Sequence, residues 1–116
     1  MLKIRRPQID ALAALSRRRF AADAGAHLRR VHPERWAAVA DAPLHGWVER
    51  RIVRGLKLGL VEELSLLRHL EVASRLDERF ADSNDALAVL HDLDGLRRWP
   101  EPMALLECLH RATVTT

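Results

Sequence analysis

Apolar positions recur every three or four residues along most of this chain, which is the period of a helix with one face turned inward. The series Ile9, Leu12, Ala13, Ser16, Phe20, Ala24, Leu28, Val31 predicts a first helix opened by Pro7-Gln8. A proline in the first turn lacks only an N–H that would be unpaired there anyway. His32 precedes Pro33, which disfavours helical geometry and ends the helix. Gly25 costs about 1 kcal/mol inside it and marks a close contact with another helix. A short second helix is expected from Pro33 to about Ala40. Asp41 reads as the N-cap of a third, with Pro43 in its first turn. That helix turns Leu44, Trp47, Val48, Ile52 and Leu56 inward and sets Arg50, Arg51, Arg54 and Lys57 on its other side. Leu58-Gly59-Leu60 reads as a glycine C-cap. Glu62-Glu63 open a fourth helix near its positive end. Its Leu64, Leu66, Leu67, Leu70, Val72, Ala73 and Leu76 cover more than one stripe, the pattern of a central bundle helix or of one that binds a partner. Asp77 to Asp82 read as a loop containing Phe80. Ser83 caps a fifth helix over 84–91 or 92, and Asp94-Gly95 is a turn signal. Trp99-Pro100-Glu101-Pro102 starts a last helix through about Arg111, with Met103, Leu105, Leu106 and Leu109 apolar, and 112–116 read as a frayed tail.

These elements predict an all-α fold, a single compact bundle of five to six helices over residues 1–116. The expected core draws on Leu12, Phe20, Leu28, Trp47, Ile52, Leu64, Leu67, Leu70, Phe80, Leu90 and Leu106. Composition agrees. The 116 residues are 48% apolar and 30% charged, globular rather than disordered, and enough to bury a core without metal or disulfide support. There is no Tyr, and Phe20, Phe80, Trp36, Trp47 and Trp99 are the aromatics; with so few strand formers an all-β domain is disfavoured. Cys108 is the single cysteine, so no internal disulfide forms; on a Leu-rich helix it reads as a small core residue in a reducing compartment. No apolar run is long enough to span a bilayer, and the basic start Lys3 to Arg6 lacks the apolar stretch of a signal peptide. The expectation is a soluble cytoplasmic protein without membrane association. The excess of Arg over Lys, with abundant Ala, fits a GC-rich bacterial genome.

The net charge of +3 conceals an uneven distribution. Residues 1–57 hold 13 Lys/Arg against 5 Asp/Glu, a balance of +8, and residues 58–116 hold 6 against 11, a balance of −5. Either the acidic half docks on the basic half within one domain, or a basic face remains for an acidic partner.

Catalytic chemistry finds little footing. His27, His32, His45, His69, His91 and His110 form no HExxH, and there is no CxxC. Ser16, Ser65, Ser74 and Ser83 lie in no Gly-x-Ser-x-Gly elbow. No glycine loop suits a phosphate, and Glu62-Glu63 and Asp92/Asp94 are explained as helix ends. No catalytic, metal-binding or cofactor-binding residue is assigned, and no enzyme is expected. A pocket with convergent titratable groups would speak for one. Arg17-Arg18-Arg19, Arg29-Arg30 and Arg50-Arg51 with Arg54 could form a phosphate-binding face. The acidic second half, the lack of a polar recognition helix and the lack of interleaved aromatics favour a solvated face laced with salt bridges.

The chain resembles small helical proteins encoded beside spike and effector genes in bacterial type VI secretion clusters. The matching stretches are Pro7-Gln8-Ile9-Asp10-Ala11-Leu12, Arg19-Phe20, His27-Leu28-Arg29-Arg30 through Pro33-Glu34-Arg35, Gly59-Leu60 with Glu63, Leu76 through Phe80, and Ala88-Val89-Leu90-His91-Asp92. In order and spacing they cover most of the chain. The family pattern has Ser or Thr as the cap after the glycine, where Val61 stands here. The resemblance implies a non-enzymatic accessory protein that binds a secreted effector or spike component in the donor cytoplasm as adaptor or chaperone; an immunity protein against a toxin is the alternative from the same gene position. Under this reading Arg29, Arg30, Arg50, Arg51 and Arg54 are the candidate contacts for an acidic protein partner. The runner-up is nucleic-acid binding by the same basic face. A homo-oligomer is open as well, through the apolar fourth helix.

Overall fold

A computed structural model describes residues 14–114 of the chain. Among the described residues there are eight helices and no strand: α1 Ala14–Val31, α2 Pro33–Trp36, α3 Asp41–Lys57, α4 Glu63–Arg75, α5 Glu78–Ala81, α6 Asn84–Leu90, α7 Leu93–Leu96 and α8 Glu101–Val114. The all-α architecture stands, with more helices than the five or six expected. The surplus consists of single turns in stretches read as a loop and a turn. Asp77 caps α5 by accepting from Arg79 N at 2.9 Å, and Asp92 caps α7 by accepting from Gly95 N at 3.1 Å. Each aspartate satisfies one of the amides that an isolated turn leaves unpaired. Gly95 permits this closeness, since a Cβ there would lie 2.6 Å from Asp92 Oδ2.

Boundaries move for similar local reasons. α1 ends at Val31 before His32-Pro33, as expected. The second helix stops at Trp36 rather than Ala40: its indole is buried, and the chain turns behind it to an extended Ala40. Ala40, not Asp41, is therefore the N-cap of α3, and Asp41 stands in the first turn. Leu58 caps the other end, and Gly59 follows at φ 92°. Leu60 N bonds Gly55 O at 2.9 Å and Gly59 N bonds Leu56 O at 3.0 Å, the paired pattern of a Schellman stop. Glu62 precedes α4 without a side-chain cap, in keeping with Val61 in place of a hydroxyl residue. Ser83 caps α6, accepting from Ala86 N at 3.2 Å. The last helix continues to Val114, so residues 112–114 are helical rather than frayed.

α4 is the central element. It touches α1, α3, α5, α6 and α7, and Ser65, Leu66 and every residue from His69 to Ser74 are buried along it. Its two buried serines bond to other parts of the chain: Ser65 Oγ donates to Leu90 O at 2.8 Å, and Ser74 Oγ accepts from Trp36 Nε1 at 2.9 Å. α1 and α3 lie antiparallel, with Gly25 against Leu44 and Arg29 reaching Asp41. Phe20, Leu28, Trp47, Ile52, Leu70, Phe80, Leu90 and Leu106 are buried as expected, whereas Leu64 and Leu67 are only partly buried against the core. Leu12 lies outside the described residues. Trp36, Leu60, Leu66, Leu96 and Met103 join the core instead. Trp36 packs its ring 4.7 Å from that of Trp47. Cys108 is exposed, not a core residue; α8 turns Met103 and Leu106 inward, and position 108 falls on another side of the wheel.

Gly55 marks a close approach of α3 to α4. A Cβ there would lie 2.6 Å from Leu66 Cδ2, and Leu66 is fully buried, so its methyl cannot swing to solvent. Overpacking of this kind costs about 1–3 kcal/mol, against a helix-propensity gain of up to about 1 kcal/mol for Ala over Gly. Gly55→Ala is therefore expected to lower stability by about 1 kcal/mol on balance, read as a lower urea midpoint. A rise in the midpoint would show that the helices part at no cost.

Candidate functional site

The five arginines singled out in the sequence do not form one patch. On α3, Arg51 is four residues after Trp47 and three after Val48, so helical geometry places it with the buried face. The expectation of an outward Arg51 is corrected: it is buried, and its guanidinium meets Asp82 Oδ1 at 2.5 Å, His69 Nε2 at 2.9 Å and Glu78 Oε1 at 3.6 Å. Arg54, half-exposed, adds its Nε to Asp82 Oδ2 at 3.2 Å. Trp47 Nε1 donates to Glu78 Oε2 at 2.7 Å. The acidic second half thus docks on the basic first half here, through α5 and the residue after it. Arg29 works inside the fold as well, bonding Trp36 O at 2.8 Å and Asp41 Oδ1 at 2.7 Å. Arg30 meets His27 Nδ1 at 3.1 Å. Asp41 and Arg50 are nine residues apart on α3, about 13 Å at the helical rise. Arg50 is exposed, and among the described residues no carboxylate pairs with it. Exposed Val53 stands one turn on, and Glu49, Arg50 and Val53 line a shallow depression of about 300 Å³.

His69 completes the Arg51 cluster. Its Nε2 accepts from Arg51, which leaves the proton of the neutral ring on Nδ1. Burial and the adjacent Arg51 guanidinium push its pKa from 6.5 down to about 4, outweighing Asp82, whose Oδ1 is 3.7 Å away.

A second polar cluster surrounds Glu71, buried in α4. Its Oε2 accepts from His27 Nε2 at 2.8 Å and Arg68 NH1 at 2.6 Å, and its Oε1 accepts from Trp99 Nε1 at 3.0 Å. His27 donates through Nε2 while its Nδ1 faces Arg30, so the two contacts fix one tautomer. His32 is also buried, with Nε2 3.8 Å from Glu71 Oε1. Burial alone would raise the Glu71 carboxyl, but the nearby His32 ring and the hydrogen bonds from His27 and Arg68 outweigh it and hold the carboxyl well below the usual carboxylate range. A carboxylate held that low stays ionised at neutral pH and keeps accepting from its donors. No group of three or more His, Cys, Asp or Glu among the described residues is placed to hold a metal ion.

The sequence reading missed Glu71, His32 and His69. Two ionisable residues on either side of Leu70, inside the most uniformly apolar helix, were the available signal: a helix buried all round must bury its charges too. Among the described residues no helix is long and apolar enough to cross a membrane. No protein-family profile, curated protein or solved structure matches the chain.

Proposed function

We propose that this chain is a non-enzymatic protein-binding module, an adaptor or chaperone for a secreted effector or spike component, as its resemblance to type VI accessory proteins implies. The observation that supports the reading is the outer face of α3, where the unpaired Arg50 stands beside exposed Val53 and half-exposed Arg54. Arg is favoured at protein interfaces because its planar donors meet carboxylates bidentately while its stem packs on apolar surface. Arg50 is the strongest contact of the original five and Arg54 the second. Arg51 and Arg29 are paired with carboxylates inside the fold and Arg30 lies with His27 on α1, apart from that face.

Arg50→Glu combined with Val53→Asp tests the reading. Both side chains are exposed, so thermal unfolding should stay within a few degrees of wild type. The tagged chain, purified from nuclease-treated lysate of the bacterium that encodes it, is expected to carry one stoichiometric partner that the double variant loses. Equal recovery by the folded double variant would remove the α3 face from the reading. Partners that vanish with nuclease would replace it by nucleic-acid binding.

A further inference from the structure

The end of α1, the middle of α4 and the segment leading into α8 enclose a cavity of about 350 Å³, open to solvent on one side. That is small-ligand size, with room for roughly ten water molecules. Val31, Met103 and the Trp99 ring make its apolar part, with the Arg68 guanidinium 4.8 Å over the centre of that ring. The rest carries polar groups whose hydrogen bonds are incomplete. His32 has a side chain only 5% exposed, and neither of its ring nitrogens has a hydrogen-bond partner. The nearest carboxylate oxygens are Glu71 Oε1, 3.8 Å from Nε2, and Glu34 Oε2, 3.6 Å from Nδ1, both beyond hydrogen-bonding reach. Arg68 spends NH1 on Glu71, but its buried Nε–H has no partner. Half-exposed Arg75, bonded through Nε to Glu107, stands at the mouth.

The surplus is one of donors. Glu71 already accepts three N–H groups, so a cationic ligand would find its charge engaged. A buried donor without an acceptor is costly, and a ligand that brings acceptor oxygens recovers that cost. A doubly charged anion would sit close to the Glu71 carboxylate, so a single negative charge fits better. An aromatic face and a thioether beside the donors suit a short apolar body.

We propose that this cavity binds a small organic carboxylate with a short apolar body, its oxygens taken by His32, Arg68 Nε–H and Arg75, its body packed on Trp99 and Met103. The site shares no residue with the α3 face and stands whether or not that face binds a protein.

Phenylacetate is the probe. Titrated into the ¹⁵N-labelled protein at fixed pH and ionic strength, it is expected to move the amide signals of Val31, His32 and Arg68 and the Trp99 indole N–H saturably. For about ten heavy atoms in a half-open cavity, saturation belongs in the millimolar range. Phenylacetamide, which lacks the charge, and acetate, which lacks the body, should each bind at least about tenfold more weakly. His32→Gln and Arg75→Gln should each weaken phenylacetate about threefold or more, as loss of one charge-assisted or buried hydrogen bond does. Arg75 is half-exposed, so its variant carries the test if His32→Gln fails to fold. Absence of saturable shifts at these positions, equal binding of phenylacetamide or acetate, or full affinity in folded variants would overturn the proposal.

Discussion

Glu71→Ala is expected to lower the free energy of unfolding by about 3–5 kcal/mol, the range for breaking a buried, hydrogen-bonded charge cluster from one side. The carboxylate is 5% exposed and takes hydrogen bonds from His27, Arg68 and Trp99. Its removal leaves the Arg68 cation and two N–H groups without their acceptor. The loss exceeds that of the side chain's packing alone, because each stranded donor has given up water without replacement. Glu49 provides the contrast. It pairs with His45 at 2.9 Å one turn away, but both side chains are well exposed, so Glu49→Ala should cost no more than about 0.5 kcal/mol. Glu71→Gln separates charge from volume. It keeps the shape and points an NH2 group at donors, so it should lose most of what Ala loses. Urea denaturation of the three variants reads the result. A near-neutral Glu71→Gln would mean that the residue serves as filler and that the hydrogen bonds around it contribute little.

What the sequence revealed and what it hid follow one division. Helical periodicity marked the long helices because their apolar stripes are repeated signals, averaged over many residues. Gly59 was legible because a helix stop needs positive φ and glycine accepts it cheaply. Gly55 was not, because nothing local distinguishes a glycine forced by Leu66 on another helix. The single turns at Asp77 and Asp92 rest on one capping bond each, too little pattern to separate from a loop. Arg51 shows the same limit. Its charge placed it outside, while its wheel position beside Trp47, Val48 and Gly55 placed it inside. The wheel position prevailed because Asp82, Glu78 and His69 waited there, and those partners come from 18 to 31 residues away. The uneven charge of the two halves left internal docking and a free basic face both open, and named no pairs. The candidate cavity was less legible still: His27 and His32, Arg68 and Glu71, and Trp99 lie on three separate stretches that meet only after folding.

The second large effect is acid unfolding in two overlapping steps, with His69 first. The ring is wholly buried and its pKa falls from 6.5 to about 4 in the folded state, by burial and by Arg51, partly offset by Asp82. The unfolded chain therefore takes up this proton first as pH drops. Stability is fully present above pH 6.5 and lost as pH falls toward 4, by about 3 kcal/mol. Protonation would also set a second cation against the Arg51 group that now donates to Nε2, with Arg54 nearby and only Asp82 and Glu78 to oppose it. Glu71 follows. Its pKa falls from 4.5 well down the carboxylate range on folding, so its contribution is present above pH 4.5 and lost as pH falls through the lowered value. The His69 loss alone is a large fraction of the stability of a typical small domain. The unfolding free energy, measured by urea titration at constant ionic strength, should fall from pH 6.5 downward and steepen near pH 4.5. His69→Gln should start less stable at pH 7 and show a much shallower slope between pH 6.5 and 5, while Glu71→Gln should lose only the lower limb. A wild-type profile flat from pH 6.5 to 4 would mean that His69 carries its proton inside the fold, and that the Arg51–His69 contact is not the neutral acceptor bond its geometry describes.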